Sequence, residues 1–413
     1  MSIRIRLTNP QDEIRLKEQL TVVTNEKTRV CFVEGVFPYF NVPFSYSLAR
    51  RETKAPLLSK TCPTFTGKLR PEQVNIFQNA RKMLMDNHVV MISCYPGFGK
   101  TVTTLALACS LGMPVIVVCH RVCLFEQWKL SVEQFCSPCR VVKLPDDNGL
   151  PFDFAIVNIA NLGKLENLPK DYVLVTDEAH LLLSEKRSLN LLKLFPRRLI
   201  GLTATPYRPD ELHVLFKYFY GTNFIVKKLH KIHDIYTVHT GIVMKEKRIY
   251  GKIDWNYMLE QQSDNIDRHA MIVDIINLFP ETRTWLVLVK RKSHGQALHD
   301  LLIQKKNRIV SLLIGNVHRY DVNCNVLIGT VGKIGTGFDF PKLDSLMVAA
   351  DMVQYYIQFL GRVMRTTNVP VVVDLVDSHP IMLHHYNERR KEYLQHGGRM
   401  INTPLKEMKN VTQ

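Results

Sequence analysis

Residues 89–101 read VVMISCYPGFGKT. The apolar run Val89 to Cys94 has the length and β-branched content of a buried strand. It leads into Pro96-Gly97-Phe98-Gly99-Lys100-Thr101, and the residues from Val102 to Leu111 favour helix. Strand, glycine turn, Gly-Lys-Thr and helix is the setting that turns a glycine-rich stretch into a phosphate cradle. Glycines let successive backbone N–H groups face phosphate oxygens. The helix N-terminus adds partial positive charge. In that setting Lys100 is expected to reach the outer phosphates, and Thr101 to hold Mg²⁺. Cys94 stands where the longer form of the pattern has its first glycine, although the shorter form is intact.

Outward from this stretch, the chain alternates apolar runs with amphipathic segments. Leu69-Arg70-Pro71-Glu72-Gln73 opens a helix, with Pro71 at its first turn. The strands expected next are Val89–Cys94, Val115–Cys119, Phe154–Asn158, Tyr172–Thr176 and Arg198–Leu202. A second set comprises Trp285–Val289, Ile309–Ile314, Asn325–Ile328, Leu346–Ala349 and Pro370–Leu375, with helices His269–Leu278, Ser293–Gln304 and Val353–Met364. Continuous apolar runs of this length, separated by helices, indicate parallel sheets covered on both faces. The boundaries expected are a small β-containing N-terminal domain over 1–65, a first α/β domain over 66–225, a connecting insert over 226–268, a second α/β domain over 269–385, and a charged C-terminal helix and tail over 386–413.

The chain has 413 residues, with 46% hydrophobic and 22% charged residues, which is the profile of a folded protein of two or three domains. Its formal net charge of +16 favours a polyanionic partner such as nucleic acid. Residues 1–65 carry 10 Lys/Arg against 6 Asp/Glu, and residues 66–225 carry 18 against 14, so the excess is spread and not gathered in a tail. Nine irregularly spaced cysteines argue against a disulfide scaffold and for a reducing, intracellular compartment. Cys136-Ser-Pro-Cys139 has zinc-like spacing, but Cys119 ends a strand-like run and Cys123 falls in the following helix, so a zinc site is not expected. The N-terminus alternates charge, which does not suggest a signal peptide. The longest apolar stretch, Leu105 to Cys119, is interrupted by Ser110, Gly112 and Pro114, so a membrane span is not expected either.

Four further stretches carry chemistry. The expected strand Tyr172–Thr176 ends in Asp177-Glu178-Ala179-His180. Acidic residues at the C-terminal end of a parallel strand lie where such sheets bind ligands. Asp177 is suited to hold Mg²⁺, and Glu178 to orient and deprotonate an attacking water. Arg198–Leu202 leads into Thr203-Ala204-Thr205-Pro206, whose hydroxyls can bond to that acidic site. In the second half, Gly335-Thr336-Gly337-Phe338-Asp339 follows an expected strand. Then Gln358-Phe-Leu-Gly-Arg362-Val-Met-Arg365 reads as helix, and the spacing puts Gln358, Arg362 and Arg365 on one face. Always-charged, bidentate guanidinium groups suit the charge that develops on a transferred phosphate.

The ordered set Gln73, PGFGKT, DEAH, TATP, GTGFD and QFLGRVMR resembles the superfamily 2 helicases over about residues 66–395. The nearest branch is the XPB and restriction-subunit group, to which Arg208 and the stretch Asp374-Leu-Val-Asp377 are similar. The compact length is similar to helicases of large nucleocytoplasmic DNA viruses, including the poxvirus transcript-release helicase. This resemblance implies two RecA-like parallel-sheet domains in tandem, ATP and Mg²⁺ as cofactors, and nucleic-acid-stimulated ATP hydrolysis coupled to movement along a strand. It implies nucleic acid as the track, with DNA favoured over RNA, and transcription, replication or repair proteins as candidate partners. Arg70 and Gln73 match the adenine-recognition motif, and Pro96, Gly97, Phe98, Gly99, Lys100 and Thr101 match the phosphate loop. Asp177 and Glu178 match the magnesium and water-activating pair, and Thr203 and Thr205 the coupling motif. Gly337 and Asp339 match the motif that faces the nucleotide from the second domain. Gln358, Arg362 and Arg365 match the last motif, with Arg365 in the finger position. His120 and Arg121 match a motif that touches the nucleic-acid backbone. Three residues depart from the pattern: Cys94, Thr336 where Glu is frequent, and Pro209 where the XPB group has an acid. A double-strand DNA translocase that never separates strands and an RNA helicase share these motifs. A catalytically silent clamp would not need Lys100, Glu178 and Arg365 intact.

Overall fold

The computed structural model describes residues 1–23, 29–46, 63–204, 214–305, 308–317, 319–334, 340–353 and 356–402. The chain divides into two units, Met1–Cys94 with Phe98–Lys227, and Tyr95–Gly97 with Lys228–Gln413. The first opens with β1 (Ser2–Arg6), α1 (Gln11–Gln19), β2 (Glu34–Val36) and β3 (Tyr39–Pro43), which form an antiparallel sheet in the order β1-β3-β2. Phe32 and Phe44 of this segment are fully buried and join the core beneath the main sheet of the same unit.

That main sheet is built from seven strands. Helix α2 (Pro71–Asn87) precedes β4 (Val89–Cys94), and α3 (Lys100–Cys109) precedes β5 (Val115–Cys119). Helix α4 (Cys123–Phe135) leads to β6 (Val141–Leu144), β7 (Phe154–Asn158) and β8 (Val173–Thr176). After the short α5 (Ala179–Leu182) and α6 (Glu185–Leu191) come β9 (Arg198–Thr203), α7 (Val214–Tyr220) and β10 (Phe224–Lys227). The order is β6-β7-β5-β8-β9-β4-β10, and every pairing is parallel. All six residues of β4 and all five of β5 are buried, which is why these strands read as unbroken apolar runs. Helix α2 buries Gln73, Ile76, Ala80 and Leu84 along one stripe. It ends where His88 turns left-handed at φ 64°.

The second unit repeats the plan. β11 (His233–Val243) is followed by a two-stranded hairpin, β12 (Arg248–Ile249) and β13 (Lys252–Ile253), then α8 (Trp255–Asp264) and α9 (Ile266–Leu278). β14 (Trp285–Val289), α10 (Lys292–Gln304), β15 (Val310–Leu313), β16 (Val326–Thr330), α11 (Val331–Ile334), β17 (Ser345–Val348), α12 (Tyr356–Val363), β18 (Val371–Ser378), α13 (Pro380–Gln395) and β19 (Gly398–Met400) complete it. Its sheet runs β15-β16-β14-β17-β18-β11-β19, again all parallel. The stretch 226–268, read in the sequence as a connecting insert, thus contains a strand of this sheet, the hairpin, α8 and the start of α9. No helix among the described residues is long and apolar enough to cross a membrane.

Candidate active site

In a parallel sheet the C-terminal ends of neighbouring strands open on one side. Here β8, β9 and β4 are consecutive, so their ends deliver Asp177, Thr203 and the glycine loop to one edge of the first unit. The loop leaves β4 at Cys94, whose carbonyl accepts a hydrogen bond of 2.9 Å from Lys100 Nζ. A backbone carbonyl is available from any residue, which explains how cysteine serves where the longer pattern has glycine. Burial pushes the Cys94 thiol up to about 11, so it stays neutral. Gly97 and Gly99 both sit in the left-handed region, at φ 83° and 89°. At Gly99 a Cβ atom would stand 2.4 Å from Gln73 Nε2, so glycine is demanded by packing as well as by conformation.

Gln73 ties the start of α2 to this loop. Its Oε1 accepts from the backbone N–H of Arg70 at 2.8 Å, and its Nε2 donates to the Phe98 carbonyl at 3.1 Å. The Arg70 guanidinium donates to the same carbonyl and lies over the Phe98 ring, 5.9 Å from its centroid. Phe98 is fully buried and anchors the loop from below. Arg70 and Gln73, matched in the sequence to an adenine-recognition motif, are both bonded to the Phe98 carbonyl of the glycine loop. Lys100 opens α3, and Thr101 follows it in the first turn, part-buried.

The acidic pair is held under constraint. Asp177 accepts a 2.9 Å hydrogen bond from Trp128 Nε1, a residue of α4 that the sequence reading did not single out. A Trp N–H in an otherwise apolar helix stripe needs a polar partner, and that was the available signal. Burial, and then the neighbouring Glu178 charge, raise the Asp177 carboxyl to about 6, while Trp128 and Lys100 act the other way. A buried carboxylate raised in this way beside a second carboxylate is a donor that a divalent cation would suit. Glu178 is a non-glycine residue in the left-handed region, at φ 49° and ψ 56°. Such a backbone costs on the order of 1–3 kcal/mol and persists where surroundings enforce it, most often at working sites. Its Oε2 is buried without a hydrogen bond, and His180 Nδ1 lies 3.4 Å from it. The same His180 nitrogen is 2.8 Å from Thr203 Oγ1, which links the acidic motif to the hydroxyl motif at the end of β9. His120, just past β5, has both ring nitrogens without hydrogen-bond partners, and burial, followed by the Arg121 charge, lowers it to about 4. It is neutral at physiological pH, beside the exposed Arg121.

In the second unit Gln358 and Arg362 share one face of α12, each 8% exposed. The helix stops at Val363, so Arg365 is displayed, exposed, in the turn after it and not on the helical face that its spacing implied. A specific contact goes with this stop. Lys231 Nζ donates to the Met364 carbonyl at 3.0 Å and also to that of Thr366, a cation on the carbonyls that follow the helix. We expect Lys231→Met to loosen the turn that carries Arg365, to lower turnover, and to lose up to about 2 kcal/mol of stability. Steady-state kinetics beside thermal unfolding check this, and unchanged turnover with normal stability would refute it. Gly337, Asp339, Thr336, Thr205, Arg208 and Pro209 lie outside the described residues.

Residues 66–208 match the family described as "Type III restriction enzyme, res subunit". A protein designated helicase 161L in Invertebrate iridescent virus 6 is 40% identical over 393 residues, covering 88% of each chain. The chain belongs to the superfamily 2 helicases. It is an ATP-dependent nucleic-acid helicase, an enzyme that hydrolyses ATP. Transcript termination protein A18 of Yaba monkey tumor virus is 25% identical to this helicase across 83% of its length and 80% of the viral protein. The S. cerevisiae Dbp5 structure bound to RNA and ADP BeF3 superimposes with a TM-score of 0.60 at 15% identity, over 83% of this chain and 96% of that one. That likeness places both seven-stranded sheets in the RecA-like fold.

Proposed function

We propose that the helicase carries out ATP hydrolysis with the residues gathered at the ends of β4, β8 and β9. The reading is supported above all by one observation: Lys100, the strained Glu178, the Trp128-held Asp177 and the His180–Thr203 contact lie on a single sheet edge. Gly97, Phe98, Gly99, Lys100 and Thr101 hold the phosphates, chiefly through backbone N–H groups and the Lys100 ammonium, with Pro96, which has no N–H, shaping the start of the loop. Arg70 and Gln73, already fastened to the Phe98 carbonyl, hold the adenine. Thr101 and Asp177 are the Mg²⁺ ligands. The ion, when bound, neutralises phosphate oxygens. Glu178 accepts the proton of the attacking water. Gln358, Arg362 and Arg365, with Gly337 and Asp339, are the groups that the family resemblance assigns to the nucleotide, guanidinium donors being suited to offset charge that develops on a transferred phosphate. Thr203 and Thr205 transmit the nucleotide state through His180, and His120 and Arg121 touch the nucleic-acid backbone. Residues 66–225 thus carry the hydrolytic centre, and 269–385 the arginines.

The track we favour is DNA. The +16 charge supports a phosphate-borne grip, and the relatives named above belong to DNA viruses. ATPase rates measured side by side with single-stranded DNA, duplex DNA and RNA should be highest with DNA. Affinity should fall steeply with salt, by roughly 0.7–0.9 log units per log unit of salt for each phosphate neutralised. Stimulation by RNA alone would overturn the DNA assignment. Triplex displacement without unwinding would make the enzyme a duplex translocase.

A further inference from the structure

The hairpin that joins β11 to α8 is small, basic and tipped by an aromatic ring. β12 and β13 pair antiparallel, with Arg248 opposite Ile253 and Ile249 opposite Lys252, so only Tyr250 and Gly251 form the turn. Both have positive φ, 50° and 77°, as a two-residue type I′ hairpin requires. Asparagine or glycine takes the first of these positions at little cost. A tyrosine there pays on the order of 1–2 kcal/mol. Among the described residues nothing offsets that cost, because Tyr250 is 100% exposed. A local rule broken with no structural gain is the mark of a side chain kept for what it contacts.

The surroundings say what that contact is. Lys245, Lys247, Arg248 and Lys252 are all exposed around the tip. The one acid within 245–252 is Glu246, which pairs with Arg248 at 2.9 Å and with His379 at 3.1 Å. Lys247 lies over the Tyr257 ring, 5.7 Å from its centroid. Asp254, next in the chain, is occupied in capping α8. The local balance is therefore positive. The hairpin is also firmly mounted. Met244, Met258 and Met382 form a small core with Ile242 and Ile253 at its base. Gln261 exchanges hydrogen bonds of 2.9 and 2.8 Å with the backbone of Lys245, and the Asp254 N–H donates to the Lys247 carbonyl at 2.8 Å. The ring is thus presented on a braced arm.

We propose that this hairpin is a single-strand nucleic-acid contact in which Tyr250 stacks on an unpaired base while the flanking Lys and Arg side chains hold the adjacent phosphates. An aromatic ring stacks on any base, and cations beside it follow the backbone, so the contact is sequence-tolerant. The inference rests on nucleic acid being the track of the enzyme.

The test uses the full chain and a fluorescein-labelled single-stranded DNA oligonucleotide, with affinity read by anisotropy. Removal of a stacking ring corresponds to about 5- to 140-fold weaker binding. We expect that loss in Tyr250→Ala and in Tyr250→Asn, and wild-type affinity in Tyr250→Trp. Tyr250→Asn should keep or raise thermal stability, because asparagine suits the left-handed turn, so lost affinity with a sound fold supports the proposal. ATP hydrolysis without nucleic acid should be the same in all three. Lys252→Ala should lower the salt slope by about 0.7. If the wild type binds the oligonucleotide and both Tyr250→Ala and Tyr250→Asn bind it equally well, the proposal is overturned and the tip is left to a protein partner. A wild-type chain that binds neither single strand nor duplex overturns the proposal together with the track assignment.

Discussion

Nucleic-acid-stimulated ATP turnover in Glu178→Gln should fall by about 10²–10⁴-fold, the range that a positioned general base contributes. The substitution is chosen because it changes little else. Glutamine has the same length, and its left-handed backbone at φ 49° is no more costly than that of glutamate. The side chain is part-buried, with His180 Nδ1 3.4 Å from its Oε2, and an amide there keeps the packing while it loses the ability to take a proton. ATP affinity and thermal stability should therefore stay near wild type. Lys100→Ala should also nearly abolish turnover, but by another route: the ammonium that donates to the Cys94 carbonyl is the positive charge of the phosphate loop, and without it nucleotide affinity falls as well. Single-turnover kinetics with a fluorescent ATP analogue separate the two. Wild-type-like hydrolysis in either variant would defeat the assignment of the site.

How much of this was open to a reader of the sequence depended on whether contacts were local. Strands buried on both faces are contiguous apolar runs, and Val89–Cys94, Val115–Cys119, Phe154–Asn158 and Trp285–Val289 were legible to the residue for that reason. Three strands at or beside a sheet edge were not. Val141–Leu144 exposes Lys143, and Gly398–Met400 is only three residues long. His233–Val243 buries only His233, Ile235 and Tyr236 and carries polar residues throughout HDIYTVHTGIV, which masked a strand that pairs with both β18 and β19. That residues 96–101, Asp177–Glu178 and Thr203 fall at strand ends was legible because the apolar runs that precede them are contiguous. Trp128 at Asp177 and Lys231 at the turn carrying Arg365 were not, because each contact spans many residues and no local pattern encodes it. Helical periodicity placed Arg365 on α12. It could not register that a lysine far upstream engages the carbonyls just beyond the helix.

The charged C-terminal helix makes the same point energetically, and it yields the largest stability effect we expect. Arg389 of α13 reads in sequence as one charge among many, yet it is 2% exposed. It grips Asp374 of β18 through two parallel hydrogen bonds, Nε to Oδ2 at 2.8 Å and a terminal nitrogen to Oδ1 at 2.9 Å. It also reaches Asp351 at 3.1 Å and the Met352 carbonyl at 2.6 Å. Tyr393 donates to Asp374 at 2.9 Å, and His385 Nδ1 lies 2.6 Å from Asp351. Burial opposes the charge on Asp351, but His385 and Arg389 outweigh it and hold that carboxyl below its usual range. Arg389→Met would leave Asp374 and Asp351 buried without their cation, a situation that costs about 3–5 kcal/mol. For a unit of this size the midpoint should drop by roughly 6–20 °C, with loss of α13 from the sheet. The penalty belongs to the stranded carboxylates more than to the lost pair. Arg389→Met combined with Asp374→Leu should therefore be less destabilising than Arg389→Met alone, and a double-mutant cycle read by denaturant unfolding measures the difference. Strict additivity of the two substitutions would show that the pair does not act as one, and that α13 is held by its apolar contacts alone.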